Sequence, residues 1–172
     1  GDPLDVPDAT VSVHCVFWPW IHQVGRNPCE PDVVIGLETE GSQVDVVLIE
    51  SKYLSGISSE EDERPQPNNQ LARELNNLDA VSSATFGWDA SLCIRSRALL
   101  FVSQDLGMPR DTLIASLNEY RSKRNACPNL YWTSWRNLPS ILERGLEQPC
   151  SPQGRQVLED MAALLARKGL VL

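Results

Sequence analysis

Apolar and polar positions alternate across residues 10–18 (Thr-Val-Ser-Val-His-Cys-Val-Phe-Trp), the period of a strand with one face inward. Three prolines, Gly25 and Asn27 interrupt residues 19–31, which read as loop. Two β-branched runs follow, Val33–Leu37 and Val44–Ile49, with Glu40-Gly41-Ser42 between them, and together they predict a hairpin. Residues 54–69 are polar, with Glu60-Glu61-Asp62-Glu63 and two prolines, and predict a surface loop. Asn68 or Asn69 then caps a helix running to about residue 82, with Leu71, Leu75 and Leu78 on one stripe. Ala98–Ser103 predicts a strand. Pro109 and Asp111 open a helix with Leu113, Ile114, Leu117 and Tyr120 facing inward. Leu130–Trp135 predicts a last strand. Leu138–Arg144 predicts a short helix closed by Gly145, and Val157–Lys168 an amphipathic helix closed by Gly169. No repeat or internal boundary interrupts this order. The expectation is a single α/β domain over residues 1–172, with a central mixed β-sheet flanked by helices.

The hairpin permits a geometric test. Opposed residues in an antiparallel pair have a constant sum of residue numbers, and a turn centred on Gly41 makes that sum 82. Asp32 then lies opposite Glu50. Opposed residues share a face, as do residues two apart on one strand. Asp32, Glu50 and Lys52 therefore converge on one face at the open end of the hairpin. A slip of one residue would separate them. The hairpin is apolar on both faces, with Val33, Ile35 and Ile49 on one and Val34, Val46 and Leu48 on the other, which predicts a sheet covered on both sides. Two acids and a lysine at the end of such a sheet are costly unless they serve each other or a metal. A hard cation with oxygen ligands suits them, and Mg²⁺ fits best. Lysine beside it orients or deprotonates a water and stabilises phosphate charge, the equipment of metal-assisted phosphodiester hydrolysis.

Composition narrows this picture without overturning it. The chain has 172 residues with 42% apolar and 22% charged, ordinary globular usage. No run suits a membrane span and no secretory signal is visible. The opening Gly1-Asp2-Pro3, just ahead of a strand, suggests a piece of a longer protein. Five cysteines (Cys15, Cys29, Cys93, Cys127, Cys150) include no CxxC pair, so buried free thiols in a reducing cytoplasm are expected rather than disulfides or zinc. A net charge of −8 argues against nucleic-acid binding by bulk charge alone, though divalent ions offset carboxylates locally.

Glu30-Pro31-Asp32, followed 18 residues after Asp32 by Glu50-Ser51-Lys52, resembles the PD-(D/E)XK nuclease, or restriction-endonuclease-like, superfamily. The resemblance implies that Asp32 and Glu50 bind Mg²⁺ or Mn²⁺, with the Ser51 carbonyl as a further ligand. It places Lys52 at the attacking water and the scissile phosphate. Many members carry a glutamine on the helix after this strand, and Gln70 occupies a similar place, within reach of the water or a phosphate. Tyr53 and Ser55, the strand Leu130–Trp135 and the closing segment Leu158–Leu170 are similar to bacterial members. The implied function is cleavage of nucleic acid, DNA by family preference, in genome defence or DNA repair. A homodimer or larger assembly fits some members. One feature departs from the family: many members place a glutamate on a helix before the first strand, where this chain has only Asp2, Asp5 and Asp8 in a proline-broken segment.

Blander readings compete at individual residues. His14 and His22 lack metal-ligand spacing, and His14 reads as a satisfied core or edge residue. Trp18, Trp20, Trp132 and Trp135 could stack bases, but strand aromatics are more often core. Arg26, Arg64 and Arg73 flank the cluster in sequence and could hold phosphates, although single arginines usually only decorate a surface. Glu60–Glu63 reads as solvated loop, and Glu38 and Asp45 near the turn carry no assigned chemistry. Three functions stay open: a metal-dependent deoxyribonuclease, an inactive nuclease-like module of a larger assembly, and an RNA-directed nuclease.

Overall fold

The computed structural model describes residues 10–53, 67–121 and 128–170. The acidic run Glu60–Glu63, Arg64, Ser55, Cys127 and the acids Asp2, Asp5 and Asp8 lie outside the described residues. Five strands form one sheet in sequential order: β1 (Thr10–Phe17), β2 (Val33–Thr39), β3 (Gln43–Lys52), β4 (Cys93–Ser103) and β5 (Leu130–Ser134). The first three run antiparallel, and β3, β4 and β5 run parallel. Four helices accompany them: α1 (Gln70–Leu78), α2 (Arg110–Arg121), α3 (Leu138–Glu147) and α4 (Pro152–Arg167). The result is a single α/β domain with a mixed sheet. α1 and α2 serve as the crossovers that parallel neighbours require.

The hairpin register is the one the turn dictates. Val33 pairs with Ile49 and Thr39 with Gln43, each pair summing to 82. Gly41 and Ser42 both adopt left-handed backbone, at φ +79° and +57°, as a tight hairpin turn demands. This register puts Val34, Val46 and Leu48 on one face, all fully buried with Leu99 and Phe101 of β4. α1 packs there through Leu71, Leu75 and Leu78, and α2 adds Leu113 and Tyr120.

Capping holds α1 at both ends. The Asn69 side chain accepts from Ala72 N–H, and the Glu119 carboxylate of α2 accepts from the Asn68 and Asn69 amides. At the other end the Tyr120 hydroxyl donates to Asp79, 2.7 Å away. α1 ends at Leu78, short of residue 82, because Asp79 caps it and Ser83–Phe86 form a separate 3₁₀ turn.

Other boundaries shift for similar reasons. Gly145 lies inside α3, which continues to Glu147, and α4 starts at Pro152 because Ser151 caps it. Gly169 does close α4, at φ +69°. Ile114 is exposed rather than inward, since α2 turns Leu113, Ser116, Leu117 and Tyr120 inward instead.

The sheet is not covered equally on both sides. Val33, Ile35 and Ile49 are only half-buried. α3 and α4 pack on each other over a small second cluster of Leu142, Leu165 and Leu170, joined by Tyr53 and Trp135. Cys29 is buried, but Cys15, Cys93 and Cys150 are exposed free thiols, because β1 and the strand and helix ends that carry them face water. The expectation of buried thiols fails there. No helix among the described residues is long and apolar enough to cross a membrane.

Gly36 marks the tightest approach to the hairpin. A Cβ built there would lie 2.7 and 2.8 Å from the Trp88 ring and 3.1 Å from Val44. Trp88 is itself wedged between Phe86 and His14, with ring centroids 4.8 and 5.3 Å away. Gly36→Ala should therefore cost about 1–3 kcal/mol by overpacking. Trp88→Leu in the same chain should recover part of that loss. Urea unfolding of the single and double variants checks both expectations, and an unchanged midpoint for Gly36→Ala would show that the ring moves freely.

Candidate active site

β3 delivers Glu50, Ser51 and Lys52 at its carboxyl end, where the parallel strand gives way to its crossover, the position at which open α/β sheets bind ligands. Even-numbered β3 residues face α1, so Glu50 continues the row of Val46 and Leu48 and is buried at 2% exposure. Lys52 follows on the same face, with its ammonium 2.8 Å from Glu50 Oε1. Gln70, the first residue of α1, donates its side-chain amide to the same oxygen at 2.6 Å. Asn69 caps the helix one residue earlier, and so sets where Gln70 stands.

Asp32 arrives from the start of β2. Its backbone carbonyl accepts from Trp18 N–H at 3.0 Å, which extends the β1–β2 pairing. Its carboxylate Oδ2 accepts from both the Ser51 N–H (2.7 Å) and the Ser51 hydroxyl (2.5 Å). Lys52 and Gln70 thus meet on Glu50, while Asp32, at the same sheet end, turns its carboxylate to Ser51. The side chain of Ser51 has an unforeseen part, since it fixes Asp32, while sequence reasoning gave this residue only a carbonyl role. Trp135 supports the strand end by donating its indole N–H to the Lys52 carbonyl at 3.2 Å. Among the described residues, no group of three or more His, Cys, Asp or Glu side chains gathers around one point to hold an ion.

Glu74, one turn along α1 from Gln70, is a carboxylate that sequence reasoning missed. It is fully buried, and apart from its contact with Glu50 and the Gln70 amide nearby, its oxygens have no other side-chain donor among the described residues. The i, i+4 spacing from Gln70 could have revealed it, since both residues then share one helix face. Burial raises the Glu74 pKa well above the ordinary carboxylate range, and the neighbouring Glu50 charge raises it further, against the pull of Gln70 and Lys52. Burial also raises Glu50, opposed by Lys52 and reinforced by Asp32. Like charges this close disfavour double ionisation. Without a cation, the pair therefore favours keeping a proton on Glu74, facing Glu50. Two neighbouring buried carboxyls fit a hard divalent cation in donor chemistry.

Other candidates fall away from this cluster. Arg73 is buried on α1, so it presents no surface to a phosphate, and Arg26 is half-buried. His14 is satisfied by Glu38 at 2.8 Å. Asp45 sits far along β3 and is held below the usual carboxylate range by the Arg95 guanidinium and the Ser96 hydroxyl. Trp132 and Trp135 pack into the interior, whereas Trp18 and Trp20 stand in solvent. Burial pushes the Cys29 thiol up, leaving it inert. Comparison with family models, curated proteins and solved structures finds no match to this chain.

The raised carboxylates fix a sign for the pH dependence of stability. A folded-state pKa above the unfolded value means that the folded chain holds more protons in that interval, so stability falls as pH rises through it. The metal-free protein should lose stability from the ordinary glutamate range upward. Glu74→Gln should remove most of that slope and raise the midpoint of thermal unfolding above neutral pH, by about 2–4 °C per kcal/mol of relieved repulsion. Calorimetry across pH in EDTA tests this; a variant less stable than wild type at every pH would show that Glu74 is accommodated as a stabilising charge.

Proposed function

We propose that this protein is a metal-dependent nuclease of the PD-(D/E)XK type that hydrolyses phosphodiester bonds, with DNA as the preferred substrate. The observation that carries the reading is the convergence of Lys52 and Gln70 on one oxygen of buried Glu50, with a second buried carboxyl, Glu74, beside it. A protein that needed only stability would gain by replacing such a cluster with apolar side chains.

Asp32 and Glu50 would hold Mg²⁺ or Mn²⁺, joined by the Ser51 carbonyl on the family pattern and backed by Glu74. When bound, the ion supplies a Lewis acid for the phosphate and a more acidic water. The chain's own groups do the rest. Glu50 fixes the Lys52 amine in place, so that it would meet the attacking water and the charge that grows on the phosphate oxygens. Gln70 locks the Glu50 rotamer by its 2.6 Å bond. Ser51 does the same for Asp32. Glu74, behind Glu50, would add a further carboxylate oxygen for the ion, and burial beside Glu50 favours its protonated form.

A second reading, a nuclease-like binding module without activity, draws support from Asp32, whose Oδ2 is turned to Ser51, and from the absence of a gathered three-ligand group among the described residues. Cleavage separates the two. Plasmid, linear duplex, single-stranded DNA and RNA are incubated with Mg²⁺ or Mn²⁺, beside EDTA controls. The wild type should cut only with metal, and Asp32→Ala, Glu50→Gln and Lys52→Ala should each lose at least about 100-fold. Metal at about 100 times its Kd should also stabilise the wild type by roughly 2.7 kcal/mol and Asp32→Ala by much less. A folded wild type that neither cuts nor gains stability with either metal rules out the enzyme and favours the binding module.

A further inference from the structure

We propose that β1 pairs with the β1 of a second copy of this chain across a two-fold axis, so that the two sheets join edge to edge into one of ten strands. This interface goes beyond the nuclease reading and does not rest on it. β1 is the outermost strand on its side, and among the described residues no strand pairs with its outer edge. Its register with β2 shows which backbone groups face that edge. His14 pairs with Gly36 and Phe17 with Val33, each pair summing to 50. Trp18 N–H donates to the Asp32 carbonyl in the same register, so even-numbered residues exchange their hydrogen bonds with β2. Hydrogen-bonded and non-hydrogen-bonded pairs alternate along an antiparallel ladder. Val13, Cys15 and Phe17 therefore turn their N–H and C=O groups outward.

Natural sheets guard such an edge with charges, with proline or by keeping the strand very short. β5, the opposite edge, has five residues and none is exposed. β1 has eight, Thr-Val-Ser-Val-His-Cys-Val-Phe, with no proline, lysine or carboxylate. Its histidine is held on the other face by Glu38 and Trp88. The irregularity between Thr10 and Ser12 affects only the start of the strand. The odd-numbered side chains are exposed too: Val11, Val13 and Phe17 at 59%, 61% and 61%, with Cys15 between them. One stripe thus presents both outward backbone and apolar side chains.

The stripe complements itself. A two-fold axis through an antiparallel seam stands perpendicular to the sheet, so odd-numbered residues of one copy oppose odd-numbered residues of the other. Outward N–H and C=O groups then meet, and both apolar stripes fall on one side. An axis at His14 sets Phe17 against Val11 of the second copy, and an axis at Cys15 sets it against Val13. Either way an aromatic ring covers a β-branched side chain, a favourable cross-strand pair. No carboxylate is brought opposite another along the strand. The Trp18 ring, 5.9 Å from that of Phe17, enlarges the patch. The exposed parts of these two rings amount to roughly 200–300 Å² per copy, at about 150–250 Å² for an aromatic side chain. Val11, Val13, Cys15 and the backbone edge bring this toward the roughly 600 Å² per partner at which stable interfaces begin. A dimer of micromolar rather than nanomolar strength is expected.

Sedimentation velocity over a range of protein and salt concentrations, under reducing conditions, tests the pairing. The wild type should dimerise, and added salt should strengthen the dimer, since two copies at −8 repel each other. Val13→Pro removes an outward N–H and spares the ladder to β2. Cys15→Lys puts a charge on the seam. Each change enters the dimer twice and should weaken association by at least about 10-fold. Val13→Thr keeps the edge and should stay close to wild type. Far-UV circular dichroism shows that the variants keep the fold. Spin labels on Cys15, in a chain with Cys93→Ser, Cys127→Ser and Cys150→Ser, read the seam without disturbing it. The two labelled positions should lie within about 10 Å of each other by strand spacing, and the labels should broaden each other's spectrum. A wild type that stays monomeric at every concentration overturns the proposal. So does a dimer that folded Val13→Pro and Cys15→Lys both leave intact, or a dimer whose labels do not interact.

Discussion

The pairing of β2 with β3 is the constraint on which the site depends. It brings Asp32 to the β3 end that carries Glu50 and Lys52, and it directs Val34, Val46 and Leu48 into the core with them. These two outcomes cannot be separated, because the side-chain period of a strand is two. Burial of the three aliphatic residues, worth about 1.5–3 kcal/mol each, therefore also fixes the face that carries Glu50 and Lys52. Gly41 and Ser42 reinforce the register from the turn.

That coupling has a cost. Placing Glu50 in the same row as Leu48 desolvates its carboxylate, and α1 adds Glu74 beside it. α1 is an unusual crossover, since Arg73, Glu74, Asn76 and Asn77 are buried along with its leucines. Part of this polarity is satisfied by the loop before β2, where the Asn27 carbonyl accepts from Asn77 at 2.7 Å. The loop, α1 and the β3 end thus form one polar layer under the sheet end. Elsewhere the core follows ordinary apolar packing, and polarity of this kind gathers where sequence-structure consistency gives way to chemistry.

The two faces of the sheet differ in a way that suits this division. One carries α1, α2 and the cluster. The other stays half-open near β1, with Val11, Val13 and Phe17 exposed, and the aromatic segment after β1 continues that surface toward Asp32. α3 and α4 instead gather around Tyr53 and Trp135, and the Tyr53 hydroxyl reaches the Lys168 carbonyl at 3.2 Å. The C-terminal helices therefore brace the strand end immediately after Lys52 rather than roofing the sheet.

By itself the sequence determined the five strands, the hairpin register and the helix start that carries Gln70. All of these follow from short-range rules: a period of two, a glycine at the turn, an asparagine at a helix start. Only the tertiary structure decided the features that depend on what lies across space. Glu74 reads in sequence as one acid on a polar stretch of helix, and its burial against Glu50 needs the helix docked on the sheet. The grip of Ser51 on Asp32 needs two strands side by side. The open sheet face, the exposed Cys15, Cys93 and Cys150 and the outward Ile114 depend on which surfaces other elements reach. Periodicity records which side of an element is apolar, whereas burial is set by the neighbour that covers it, and that neighbour is chosen by the packing of the whole chain.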